Sequence, residues 1–312
     1  MSKKLAIQFR KSTRTRYTFE RLKYCKSCGN YSVLWDDHCL KCGQEGKFVP
    51  LQHIVKSIHR NQFLRDICIL LSIGIGTFFL SRTLQMMIIS ILASLVLLAL
   101  FIWLTKRYST LMEKKTLDQL LIRENKAIRE GIILDVEDAA ENLKNKDYQL
   151  AYEKLREISY LINGNQVKVL KLMCLDHFIL RKDMDLELQT LIPIDFNENF
   201  VRYLNGVSKV NPQLIKRDAI EYVLKYRVAI ELMPEGRETV ALVASAALRV
   251  KSYVIRYQEL IFGHIEDFPK DRLLRLCQLL QGSSSDSPLL YNKVKDIVKN
   301  RYDSDPDFQG LL

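Results

Sequence analysis

Residues 67–105 read ICILLSIGIGTFFLS-R-TLQMMIISILASLVLLALFIWLT, and Arg82 is the only charged side chain in that stretch. Residues 67–81 form an uncharged run of 15, and residues 83–105 form one of 23. At 1.5 Å rise per residue the second run reaches roughly 34 Å as a helix, enough to cross a hydrocarbon core of about 30 Å. The first run reaches only roughly 22 Å, so three readings compete for it: a full span, a re-entrant half-helix, or an apolar helix buried elsewhere. Trp103, followed by Lys106, Arg107 and Tyr108, has the make-up of an interfacial anchor and a stop.

Charge on the flanks selects among the topologies. Arg60 and Arg65 precede the first run, Lys106, Arg107, Lys114 and Lys115 follow the second, and Arg82 lies between. The positive-inside rule then places both ends in the cytoplasm and the turn at 81–85 outside, giving a two-span hairpin (67–81 and 84–105). The pairs Ser72/Gly76 and Ser90/Ser94 are small residues one helical turn apart that would let two helices approach. Neither run reads as a signal peptide, because the first begins at Ile67 and no small-residue cleavage site follows it.

The stretch divides the chain into a basic head and a larger tail. Residues 1–65 hold 14 Lys and Arg against 4 Asp and Glu, whereas residues 106–312 hold 32 against 31, so the basic character belongs to the head. Seven cysteines are too few for a disulfide scaffold in 312 residues. Cys68, Cys174 and Cys277 stand alone in apolar surroundings, where a free thiol acts as a small hydrophobe.

The other four form two matched pairs, Cys25-Lys26-Ser27-Cys28-Gly29 and Cys39-Leu40-Lys41-Cys42-Gly43, separated by ten residues. Each CxxC turn offers two thiolates, and the following glycine permits the tight turn. The spacer suits a β-hairpin, with Tyr31, Val33 and Trp35 alternating along one strand and Asp36-Asp37 near its turn. Residues 24–49 resemble a zinc ribbon of the rubredoxin-knuckle type, which implies one structural Zn²⁺ on Cys25, Cys28, Cys39 and Cys42. His38 is a conceivable substitute ligand, but four thiolates complete a tetrahedron and leave no open position for catalysis. A redox CxxC lacks the βαβ pattern it would need.

Residues 1–24, of which 1–23 precede the ribbon, carry Lys3, Lys4, Arg10, Lys11, Arg14, Arg16, Arg21 and Lys23, interleaved with Phe9, Tyr17, Phe19 and Tyr24. Such a segment meets anionic lipid at a nearby membrane, a protein partner, or nucleic acid through phosphate contacts and base stacking. Residues 51–65 (LQHIVKSIHRNQFLR) have the spacing of an amphipathic juxtamembrane helix, with His53 and His59 on different faces.

The tail, 106–312, is rich in Leu, Ile, Lys and Glu and poor in Gly and Pro. Its periodicity predicts helices at 110–130, 133–145, 148–162, 166–181, 183–190, 197–205, 212–232, 236–262, 270–281 and 288–301, with 236–262 as a central core helix. The turn in residues 139–155, with Tyr148 and Ala151, resembles that of a tetratricopeptide repeat. Residues 180–186 echo it, with Glu187 where the alanine would fall, and Pro193 breaks any regular period. The fold expected is therefore mostly α: a small N-terminal β ribbon (24–50), a transmembrane hairpin (66–105) and an all-α bundle or short irregular α-solenoid (106–312).

Catalytic motifs are not evident. GxxxxGK[ST], GxSxG and HExxH are missing from the sequence. Cys174 and His177 lie one turn apart in an apolar run, which favours a buried structural role, and His264 beside Glu266 and Asp267 suggests a helix cap. The expectation is a non-enzymatic membrane adaptor or scaffold, in a bacterial cytoplasmic membrane with both termini inside. The alternative is a membrane-tethered nucleic-acid binder or regulator. A transporter role is disfavoured by two spans with one charge.

Overall fold

The computed structural model describes residues 4–11, 15, 17–281, 287–303, 305–309 and 311. The chain forms two compact units: residues 12–138, and residues 1–11 together with 139–312.

The first unit opens with a three-stranded antiparallel sheet of order β2-β1-β3, made of β1 (Lys23–Cys25), β2 (Tyr31–Ser32) and β3 (Phe48–Pro50). The hairpin expected within the 29–38 spacer instead closes around the first knuckle, because Cys25 N–H bonds the Asn30 carbonyl at 2.8 Å and β1 pairs with β2 on either side. Leu22, Tyr31, Val33 and Leu34 form its small core.

Two long helices follow, α1 (Leu51–Leu80) and α2 (Leu84–Arg123), joined through residues 81–83. Both are long and apolar enough to cross a membrane. Residues 51–65 and 67–81 are thus one helix, and its 30 residues run about 45 Å. The uncharged run itself is still the 15 residues 67–81, preceded by Arg65 and Asp66. Similarly, α2 continues past the expected break near residue 106. Its apolar side chains face outward: Phe79 of α1 and Leu84 of α2 are 80% and 74% exposed.

The helices meet through small residues: of the two expected pairs, Ser90/Ser94 lies at the contact, while a Cβ at Gly76 would meet nothing within 4 Å. Ser90 Oγ donates to Thr77 Oγ1 at 2.8 Å, and a Cβ at Gly74 would lie 2.9 Å from Ser94 Oγ. Ser90 and Ser94 therefore face α1, but their partners are Gly74 and Thr77; Ser72 instead bonds the Cys68 carbonyl of its own helix. After the single residue Glu124, α3 (Asn125–Lys144) begins, and the division between units falls within it.

The second unit contains α4 (Tyr148–Ser159), α5 (Asn165–Leu175), α6 (Glu198–Val210), α7 (Arg217–Lys225), α8 (Arg227–Glu231), α9 (Gly236–Ala247), α10 (Lys251–Arg256), α11 (Gln258–His264), α12 (Lys270–Leu280) and α13 (Pro288–Tyr302). Local chemistry sets several starts: Asp147 and Asn197 accept the Leu150 and Phe200 N–H groups, and Pro288 opens α13. Helix α9 is the central one, with Val240, Val243 and Ala244 buried against α6, α7, α8 and α11. The helix expected over 236–262 is broken into three. Leu248, Arg249 and Val250 each bond the carbonyl three residues back, and Arg249 Nη1 reaches the Pro212 carbonyl at 2.9 Å. A tightened last turn ends α9 without glycine or proline.

The helix expected at 183–190 is replaced by irregular chain and a short 3₁₀ turn at Gln189–Leu191. Glu187 turns inward to Lys171, which is fully buried, at 2.7 Å, and its backbone carbonyl accepts from Tyr203 Oη. Burial holds the Lys171 ammonium below its usual range, against the pull of Glu187. The second repeat-like echo therefore forms no helix pair; in the first, α3 and α4 are joined through residues 145–147 and Ala151 is buried.

Candidate metal centre

Two turns of the same construction hold the four thiols. In the first, Gly29 N–H bonds the Cys25 carbonyl at 2.9 Å; in the second, Gly43 N–H bonds the Cys39 carbonyl at 2.8 Å. Cys39 N–H reaches Gln44 O as Cys25 N–H reaches Asn30 O. Gly29 and Gly43 have φ of 75° and 71°, a left-handed conformation that is costly for residues with a Cβ. The repeated CxxCG thus encodes two equivalent loops, and His38 pairs with Glu45 at the base of the second.

The loops face each other. Cys25 Sγ lies 3.8 Å from Cys42 Sγ, and Cys28 Sγ lies 3.6 Å from Cys39 Sγ; all four sulfurs fall within 4.8 Å of one another. A disulfide would require about 2.05 Å. Four sulfurs at about 2.3 Å from a central tetrahedral ion lie about 3.8 Å apart, so the cluster has the size of a thiolate-bound metal site. Burial raises the Cys28 thiol to about 12, helped by its neighbouring thiols. At Cys25 burial acts the same way, but the backbone N–H groups of Cys28 and Ser27 outweigh it and bring that thiol to about 7. A divalent cation would resolve this crowding by stabilising four thiolates together.

The ribbon is fixed to α3 by a contact that motif reading misses. Asp135 is fully buried and accepts from Ser32 Oγ at 2.9 Å and from Val33 N–H at 2.9 Å. One turn earlier, a Cβ at Gly131 would run into the Tyr31 carbonyl, so the helix approaches β2 at backbone distance. A signal for this exists in the sequence: Ile128, Ile132, Asp135 and Ala139 share one helical face, and a carboxylate in an apolar stripe needs a partner.

The basic residues of the head do not belong to one unit. Lys4, Arg10 and Lys11 fall in the second unit, Arg21 and Lys23 in the first. Lys23 Nζ donates to the Trp35 carbonyl at 3.2 Å and lies 3.9 Å from Asp37. Lys3, Arg14 and Arg16 lie outside the described residues. Two aromatics of the segment are already engaged: Phe9 packs on Tyr152 and Phe178, and Tyr24 on Tyr31.

Elsewhere, Cys174 is buried and its thiol is pushed up to about 12 by that burial, which makes it a core residue rather than a nucleophile. His177 stacks on Tyr148 with ring centroids 3.8 Å apart. His264 is no surface cap: it is 3% exposed, and its Nε2 lies 3.1 Å from Glu231 Oε1. Burial, with Arg227 nearby, outweighs Glu231 and Asp267 and depresses its pKa from the ordinary 6.5. Because the folded value is lower, the unfolded chain takes up the proton first as pH falls through 6.5, and stability is lost below that point. We expect the melting temperature of the second unit to drop between pH 7.5 and 5.5, and His264→Gln to flatten that dependence.

No protein-family model matches the chain, and no curated protein or solved structure matches it either.

Proposed function

We propose that this chain is a membrane-anchored adaptor without catalytic activity, built around one structural Zn²⁺ on Cys25, Cys28, Cys39 and Cys42. The observation that carries the reading is the closed four-thiol cage: all four positions of a tetrahedral ion are filled by protein, so the metal would stiffen a docking surface and have no site for substrate. Supporting it, α1 and α2 form an antiparallel apolar hairpin whose two ends leave on the same side. By the positive-inside rule that side is the cytoplasm. Holding a ribbon and a helical surface at one membrane raises their effective concentration for a shared protein partner.

The test is a crosslinking pulldown from native membranes with the intact chain, Cys25→Ser/Cys28→Ser, and a chain ending at Arg107. Loss of partners with the cysteine pair assigns recognition to the ribbon, and loss only with the shortened chain assigns it to the helices. Unchanged partners in both cases overturn the adaptor reading. Nucleic-acid binding is the weaker reading, since Phe9 and Tyr24 are packed against protein rings.

A further inference from the structure

Residues 4–11 lie extended on the surface of the second unit, and the way they are held has the logic of peptide recognition. Leu5 N–H donates to the His177 carbonyl at 2.8 Å, and its own carbonyl accepts from Ile179 N–H at 3.0 Å, a parallel β-bridge to Phe178. Beyond it, side chains read the backbone. Arg181 Nη2 donates to the Ile7 carbonyl at 3.1 Å, and Gln149 Nε2 to the Gln8 carbonyl at 3.2 Å. Glu153 Oε1 accepts from Arg10 N–H at 3.0 Å, and Arg156 Nη2 donates to the Arg10 carbonyl at 2.5 Å.

Gln149, Glu153 and Arg156 occur at i, i+4 and i+7 of α4, so one helix face supplies a row of backbone readers. Between them Tyr152 and Phe178, both buried, make a slot for the Phe9 ring, with centroids 4.6 and 5.5 Å away. Apart from half-buried Ile7, the rest of the segment is exposed; Leu5 keeps 46% of its surface in solvent, and Lys4, Ala6, Gln8 and Arg10 are exposed as well. It is laid on the unit, not built into its core. Backbone hydrogen bonds supply affinity without sequence, and one aromatic slot supplies selectivity.

We propose that the face of α4 is a peptide-binding groove for an extended segment carrying one Phe that enters the slot, and that residues 4–11 are its ligand in cis. The tether makes the segment outcompete a free peptide of the same sequence. The inference goes beyond the adaptor reading and does not rest on it, since it needs neither the metal nor the membrane.

The test uses the full chain in detergent and a fluorescent peptide of sequence KLAIQFRK. The Phe9→Asp chain, which expels the cis ligand by placing a charge in the slot, should bind this peptide at least tenfold more tightly than the unaltered chain. A peptide with Ala in place of Phe should bind that variant at least tenfold more weakly than the native one. Leu5→Pro, which deletes the N–H bonded to His177, is a second release variant that leaves the slot untouched. The proposal fails if both variants keep native helicity and bind no peptide, or if the native and Ala peptides bind equally. If the unaltered chain elutes as a concentration-dependent dimer that Phe9→Asp abolishes, the segment is exchanged between copies and the cis assignment is overturned.

Discussion

Cys25→Ser should lower the zinc content of the purified chain from one per molecule to below a tenth. Its sulfur is at the buried side of the cage, and a hydroxyl there offers a poor, hard ligand at a longer effective reach. The consequence for the fold is local and large. The ribbon's strands are three, two and three residues long, and its core is a handful of side chains, too little to offset the entropy of ordering the loops. Metal binding contributes on the order of 10–16 kcal/mol in small zinc-dependent folds. Trypsin should then cut at Lys26, Lys41 and Lys47, while far-ultraviolet helicity changes little. Metal analysis beside limited proteolysis reads both effects, and an unaltered zinc stoichiometry would refute the assignment of Cys25.

Asp135→Ala should release the ribbon from α3 while leaving the zinc in place. The substitution strands the Val33 N–H and the Ser32 hydroxyl, both at buried positions. Each buried donor left unmade costs about 1–3 kcal/mol, so the contact loses roughly 2–6 kcal/mol in all. Asp135→Asn should sit between, because an amide oxygen still accepts from Val33. Gly131→Val attacks the same contact from sterics, by pushing a side chain into the Tyr31 backbone. Hydrogen exchange is the direct readout: the Val33 amide should lose protection by at least tenfold in Asp135→Ala, with one zinc per chain retained. Unchanged protection would mean that this carboxylate does not hold the two parts together.

Legibility in the sequence followed the range of the interactions. The CxxCG pairs were readable because all that specifies each loop lies within five residues, and the apolar hairpin because uncharged length is a local property. What escaped depends on contacts across the chain. Residues 4–11 read as a string of cations with interleaved aromatics; that Phe9 enters a slot more than 140 positions away is invisible to any local pattern. Asp135 looked like one carboxylate among many until β2 supplied its donors. The break after Ala247 carries no glycine or proline; its last turn tightens, and Arg249 there bonds the Pro212 carbonyl 37 positions away in sequence. The irregular chain at 183–190 owes its shape to a buried lysine on another helix.

The junction of β3 with α1 has a mechanical consequence. Strand β3 ends at Pro50 and α1 starts at Leu51, with no linker; Leu51 and Val55, the first apolar residues of the helix, are buried, and Leu51 N–H bonds the Leu22 carbonyl. The ribbon therefore sits on the end of a rod about 45 Å long. With the hairpin in a bilayer, a rod adapts to a thinner or thicker hydrocarbon core by tilting, and a change of about 10° sweeps its far end through roughly 8 Å. The joint has no slack to absorb that sweep, so in such a setting bilayer thickness and lateral tension would reorient the four-thiol tip.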